Sequence, residues 1–125
     1  MIILSKKQVV KLHRKLLDKT GGLDEVRDEG LLESALASAF HTFDGAELYP
    51  STVAKISRIA FSLISNHPFV DGNKRIGTYV MLVLLELNNI SVDFTDDDII
   101  RIGLGIANDT MSDLELLNLI LENSN

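Results

Sequence analysis

The sequence predicts an all-α protein, a compact bundle packed around one central apolar helix. Apolar residues recur at helical spacing in successive segments, and glycine, proline and asparagine separate these segments. Only residues 90–94 suggest extended structure. With 125 residues, 46% of them hydrophobic, the chain can bury its own core, and we expect a single domain over residues 1–125.

Two helices are predicted in the first part of the chain. The first runs from about Ser5 to Lys19, with Ser5 as its cap and Gly21-Gly22 after its end. His13 lies among basic residues of this helix, so we expect it on the solvent side. The second covers about Glu29 to Phe40. The apolar stripe of the first helix is formed by Val9, Leu12, Leu16 and Leu17.

The middle of the chain should contain the core. Residues 41–50 have mixed polarity and form either a loop or a short hairpin. A third helix is predicted from about Ser51 to Asn66, after Pro50. The fourth, Asn73 to Leu87, is apolar over most of its circumference, which predicts the central position in the fold. Two further helices should begin after Thr95 and Ser112.

Composition excludes several classes of function. The chain has no cysteine, so disulfides, thiolate metal sites and cysteine nucleophiles are ruled out. A net charge of −6 disfavours direct binding of nucleic acid, which depends on neutralising phosphates. The longest apolar run, residues 76–87, is too short to span a bilayer, and the N-terminus does not resemble a signal peptide. We therefore expect a cytoplasmic protein with no membrane partner.

Residues 67–77, HPFVDGNKRIG, join the third and fourth helices and are unusually rich in functional groups. Gly72 comes just before the predicted helix N-terminus, where unpaired N–H groups and the helix dipole favour an anion. Lys74 and Arg75 add positive charge there, although cations at this end oppose the dipole and do not help the helix. Such a local conflict favours a binding function.

Three further residues of this segment suit a nucleoside polyphosphate with a metal ion. Asp71 offers a carboxylate to Mg²⁺, which typically takes one or two carboxylates plus phosphate oxygens. His67 is a natural general base for a protein hydroxyl. Phe69 should pack beneath the segment. Each residue also has an ordinary explanation, as a helix-end histidine, a turn or a cap, but together they favour a functional site.

This segment resembles the signature of the Fic/Doc family. The Fic form has His-Pro-Phe, two variable residues, Gly-Asn-Gly-Arg and a second arginine three positions further on. Here Lys74 replaces the last glycine and Thr78 stands where the second arginine would be. Both departures resemble the death-on-curing (Doc) branch, whose pattern is met at His67, Phe69, Asp71, Gly72, Asn73, Lys74 and Arg75.

The resemblance implies a Fic/Doc-type helical bundle, with residues 41–50 as a possible flap, and an enzyme that uses ATP and Mg²⁺. In the Doc branch the terminal phosphate of ATP passes to elongation factor Tu, translation stops, and an antitoxin protein restrains the enzyme. A Fic-type AMP-transferase and an inactive binding module are the alternatives. By carry-over, the catalytic residues are His67, Asp71, Lys74 and Arg75, Asp71 holds the metal, and the cofactor is bound by Phe69, Gly72, Asn73, Lys74 and Arg75.

Overall fold

The computed structural model describes all 125 residues and confirms the all-α prediction, with one small two-stranded sheet. Six helices follow one another, and a 3₁₀ turn at Ser38–Phe40 extends the second. The helices are α1 (Lys6–Thr20), α2 (Glu29–Ala37), α3 (Thr52–Ser65), α4 (Asn73–Leu87), α5 (Asp96–Ala107) and α6 (Asp113–Asn123), and the strands are β1 (Thr42–Phe43) and β2 (Ala46–Glu47). The region 90–94 forms no strand beyond a single bridge between Val92 and Ser124.

Five of the six helices begin at a side-chain cap. In each, an oxygen of the capping residue accepts a hydrogen bond from an N–H of the first turn, which satisfies a donor that the helix itself cannot. The caps predicted at Ser5, Thr95 and Ser112 are confirmed. The five capping residues are Ser5, Asp28, Ser51, Thr95 and Ser112.

The centre of the fold is a pair of helices, α3 and α4, and not α4 alone. α3 has nine buried residues against seven in α4, and it packs against α2, α4, α5 and α6. The central position of α3 could not be predicted from the sequence, because two of its buried residues are serines. Their hydroxyl groups have hydrogen-bond partners inside the protein. The hydroxyl of Ser57 donates to the backbone oxygen of Asp113 at 3.0 Å, and that of Ser62 pairs with Ser38 at 3.1 Å.

The two central helices lie unusually close where Gly77 of α4 faces α3. A Cβ atom at position 77 would lie 2.3 Å from Cγ1 of Ile64 and 3.2 Å from the backbone oxygen of Ala60. Glycine therefore permits this approach. It brings the end of α3 and the start of α4 together, and the connection between them, residues 66–72, is hereafter the α3–α4 loop.

Residues 41–50 contain a short antiparallel hairpin, so the hairpin alternative is confirmed. Thr42 pairs with Glu47 and Phe43 with Ala46 around a turn at Asp44-Gly45, both with positive φ. Lys55 of α3 is only 7% exposed and anchors the hairpin through an ion pair with Glu47 at 3.1 Å. None of the helices has the length and apolarity needed to cross a membrane.

Candidate active site

The α3–α4 loop and the first turn of α4 surround a surface cavity of about 350 Å³, hereafter the site cavity. Six of the seven residues predicted to form the site line it. They are His67, Asp71, Gly72, Asn73, Lys74 and Arg75, joined by Val70 and by Ala107 of α5. The six predicted residues belong to one short stretch of chain, and the close approach of α3 and α4 brings the two ends of that stretch together.

Phe69, the seventh predicted residue, lies beneath the loop and not in the cavity. Its side chain is 1% exposed, and its ring stacks on that of His13 with centroids 3.7 Å apart and planes 15° apart. Any part that Phe69 takes in cofactor binding is therefore through the shape of the loop. The stack joins α1 to the loop and forms the floor of the site.

The prediction that His13 faces solvent is wrong, since its side chain is fully buried. Nε2 lies 2.7 Å from the backbone oxygen of Asp71, and because a carbonyl can only accept, Nε2 carries the proton and donates. Burial lowers the pKa of His13, which favours this neutral form. The helical spacing would have predicted the burial of His13, because this residue lies four positions after Val9 and four before Leu17. Both of these residues are buried on the same helical face.

The side chain of Asn73 makes two hydrogen bonds with the backbone of the α3–α4 loop. Its Oδ1 accepts from the N–H of Phe69 at 3.0 Å, and its Nδ2 donates to the oxygen of Phe69 at 3.0 Å. Both ends of the amide are therefore used within the loop. The backbone N–H of Asn73, at the start of α4, makes no hydrogen bond.

A second brace comes from residues 25–28, hereafter the bracing segment, which the sequence did not identify as part of the site. The N–H groups of Arg27 and Asp28 donate to the oxygen of Pro68 at 2.7 and 3.1 Å. In the opposite direction, the N–H of Val70 donates to the oxygen of Glu25 at 3.0 Å. The loop is thus held by main-chain hydrogen bonds as an additional strand would be.

Asp71 presents a partly engaged carboxylate at the cavity edge. Oδ2 accepts from the N–H of Leu23 at 2.9 Å, while Oδ1 has no hydrogen bond. Gly22, with φ of +113°, takes a backbone conformation that residues with a side chain rarely adopt, and it lies in ordinary contact with the side chain of Asp71. The Gly-Gly turn after α1 therefore has a second use, since it lets the chain orient this carboxylate.

The start of α4 differs from that of every other helix because it has no side-chain cap. Gly72 takes the N-cap position in the left-handed conformation, with φ of 77° and ψ of 19°. The first helical hydrogen bond comes from the N–H of Ile76, so those of residues 73–75 are unpaired. Lys74 and Arg75 are exposed beside them, and the guanidinium of Arg75 hydrogen-bonds the hydroxyl of Thr20 at the end of α1.

Thr78, where the Fic pattern has its second arginine, is buried and bonded to the backbone of its own helix. It is 6% exposed, and its hydroxyl donates to the backbone oxygens of Lys74 and Arg75, at 2.9 and 3.2 Å. The positive charge of the site is therefore limited to the first turn of α4. No hairpin residue lines the site cavity, and the helix from Lys55, which anchors the hairpin, to Asn66 at the start of the loop spans about 17 Å.

Comparison with known proteins agrees with this fold and loop. The model of the Fic/DOC family matches residues 3–85, which include α1 to α3, the whole α3–α4 loop and all of α4 except its last two residues. The chain belongs to the Fic/DOC family. Among curated proteins it is similar to Toxin Doc of Mycolicibacterium smegmatis (strain ATCC 700084 / mc(2)155), with 38% identity over 79 residues. That alignment covers 62% of this chain and 61% of the relative, so the chain matches about three fifths of the relative's length.

Proposed function

We propose that this protein is a Doc-like toxin that transfers the terminal phosphate of ATP to a hydroxyl group of a protein. One observation carries the proposal. The site cavity places His67 and the carboxylate of Asp71 beside three unpaired N–H groups and two exposed cations at the start of α4. A base, a metal ligand and an anion site are the parts that phosphoryl transfer requires, since this reaction depends mainly on positioning and charge stabilisation.

In the proposed reaction, the hydroxyl oxygen of the target forms a bond to the terminal phosphorus of ATP. The bond from that phosphorus to the bridging oxygen breaks, and ADP leaves. His67 accepts the hydroxyl proton, for which its exposed imidazole is suited. The N–H groups of residues 73–75 and the side chains of Lys74 and Arg75 stabilise negative charge on the phosphate oxygens.

The residues fit a magnesium ion that is held together with ATP. No group of three or more His, Cys, Asp or Glu side chains could hold a metal by itself, and Asp71 has one carboxylate oxygen without a hydrogen bond. This matches the usual habit of Mg²⁺, which takes few protein carboxylates and completes its shell with phosphate and water. Asp71 would hold the ion, which when bound neutralises phosphate charge.

Phosphate transfer is preferred over AMP transfer because of Thr78. Position 78 carries a buried hydroxyl that is bonded to the α4 backbone, in place of a second cation that would hold ATP in the orientation of AMP transfer. For the same reason we propose Lys74 and Arg75 as the only side-chain cations that bind the phosphates. The intact set of His67, Asp71 and the α4 N-terminus speaks against an inactive binding module.

The partners follow from the proposed activity. The similar M. smegmatis protein is named a toxin. We propose elongation factor Tu, or a protein with a similar exposed hydroxyl segment, as the target, and a separate antitoxin chain that covers the site. A toxin of this kind must be restrained in its own cell, so expression alone should arrest growth and co-expression of the antitoxin should relieve the arrest.

A paired labelling assay tests the reaction. The protein is incubated with purified elongation factor Tu, or with bacterial lysate, Mg²⁺ and ATP labelled on the α or the γ phosphate. We expect label on protein from the γ position only. His67→Asn is the control, because asparagine tolerates the left-handed backbone that His67 adopts (φ 49°) but is not a base. Its label should be lost while its circular dichroism is unchanged.

The other outcomes of this assay each have a meaning. Label from the α position would refute phosphate transfer and establish an AMP-transferase. Label that persists in His67→Asn would refute the role of the base. No label from either position, with elongation factor Tu and lysate both tested, would favour the binding module.

A further inference from the structure

The side chain of Arg27 in the bracing segment contacts the backbone of the proposed base. Its Nε donates to the oxygen of His67 at 2.7 Å and its Nη2 donates to the oxygen of Asn66 at 3.1 Å. These carbonyls lie at the C-terminal end of α3, where a helix has no donors of its own. Pro68 follows and has no N–H to offer. The guanidinium therefore satisfies two adjacent acceptors with one planar fork.

The backbone of His67 needs such support because its conformation is unusual. Its φ is +49°, in the left-handed region that residues other than glycine adopt uncommonly, although asparagine, aspartate and histidine are found there more often than the rest. Such a residue persists only where its surroundings hold it. The same φ and ψ angles set the direction of the carbonyl and that of the imidazole. A hydrogen bond that fixes the His67 oxygen therefore also limits where the imidazole lies in the site cavity.

The contact is additional to what the fold requires. The main chain of the bracing segment already binds the loop through the bonds from Arg27 and Asp28 to Pro68 and from Val70 to Glu25. Arg27 is exposed, and it is absent from all six ion pairs of the structure. Its guanidinium hydrogen-bonds only these two carbonyls. The side chain thus acts on the end of α3 and on the residue proposed as the base.

We propose that Arg27 is a positioning residue, which holds the backbone of His67 so that its imidazole meets the acceptor hydroxyl. This inference rests on the proposed function. It separates two tasks within the site. The anion site at the start of α4 binds ATP without Arg27, whereas proton acceptance at His67 depends on it. Lysine cannot replace it fully, because an ammonium group lacks the planar fork.

Kinetics of γ-phosphate transfer provide the first test. Arg27→Ala should lower kcat by about tenfold to a hundredfold, the size expected when a reacting group is misplaced by about 1 Å. The Kd for ATP measured by calorimetry should stay within about twofold of wild type. Arg27→Lys should recover only part of the loss. Arg14→Ala is the matched control, because Arg14 is an exposed arginine that pairs with Asp24 at 3.2 Å and does not contact the loop; its kcat should be unchanged.

Nuclear magnetic resonance provides a readout that does not need turnover. The protein has three histidines, so the imidazole signals of His67 can be assigned by comparison with His67→Asn. Arg27→Ala should shift or broaden these signals, while Arg14→Ala leaves them unchanged. Unchanged His67 signals in Arg27→Ala, or equal loss of ATP affinity and kcat, would overturn the inference. Shifted His67 signals in Arg27→Ala, together with no phosphate transfer by the wild-type protein, would support the positioning role of Arg27 while refuting the proposed function.

Discussion

Replacing His13 by alanine should weaken the floor of the site and destabilise the whole protein. The imidazole is fully buried, stacks on Phe69 and donates to the backbone oxygen of Asp71. Leaving that acceptor without its donor costs about 1–3 kcal/mol. Losing the ring stack costs about 0.5–1.5 kcal/mol beyond the lost burial. The two losses together predict that His13→Ala lowers the free energy of unfolding by about 2–4 kcal/mol.

Glutamine at the same position separates these contributions. Its amide nitrogen can reach the position of Nε2 and keep the bond to Asp71, but glutamine has no ring to stack on Phe69. His13→Gln should therefore lose only about 0.5–1.5 kcal/mol. The control is His41→Ala, an exposed histidine after the 3₁₀ turn, for which a change within about 0.5 kcal/mol is expected.

Urea unfolding followed by circular dichroism measures all three variants against wild type. The expected order of destabilisation is His13→Ala, then His13→Gln, then His41→Ala. A His13→Ala protein as stable as His41→Ala would show that the imidazole does not support the loop. Equal losses in His13→Ala and His13→Gln would assign the whole effect to the stack and refute the role of the hydrogen bond.

Three further predictions concern the same region. Gly77→Ala should destabilise the protein by about 1–3 kcal/mol, because its Cβ would lie 2.3 Å from Cγ1 of Ile64. In urea unfolding, the double variant with Ile64→Ala should lose less stability than the sum of the two single variants. Losses that simply add would contradict the clash. Lowering the pH from about 7 to about 5 without Mg²⁺ should reduce the stability of wild type more than that of His13→Gln. Burial lowers the pKa of His13, so below its ordinary value of 6.5 the unfolded chain takes up the proton first; parallel pH curves for the two proteins would refute this. Asp71→Asn can still accept from Leu23 but has lost its charge, so calorimetry should show weaker binding of ATP with Mg²⁺ and unchanged binding without it.

The predictable part of this fold was the part encoded locally. α4 has the predicted bounds, Asn73–Leu87, and the predicted caps Thr95 and Ser112 begin α5 and α6. Caps and helical spacing depend on residues within a few positions of one another, so one sequence suffices to find them. The central position of α3 was not predicted, because its buried serines find their partners in other elements.

The candidate site likewise has a part that could be predicted from the sequence and a part that could not. The residues that line the cavity belong to one continuous segment and could be identified from it. The residues that support that segment could not, because they lie 40 or more positions earlier in the sequence. Arg27 bonds a carbonyl 40 residues away and His13 one that is 58 residues away. Backbone acceptors carry no signature in the sequence, so a side chain that serves them resembles any surface arginine or helical histidine.

The uncapped start of α4 has a consequence for the protein without its ligand. A serine, threonine or aspartate at an N-cap is worth about 1 kcal/mol, and this chain supplies one to every helix except the one that faces the cavity. Phosphate oxygens seated on the N–H groups of residues 73–75 would complete the helix as a cap does. In the proposed reaction the nucleotide would then serve as the missing structural element of α4, and the central pair of helices should be most rigid while substrate is bound. Turnover would thus be accompanied by a cycle of tightening and loosening at the start of α4.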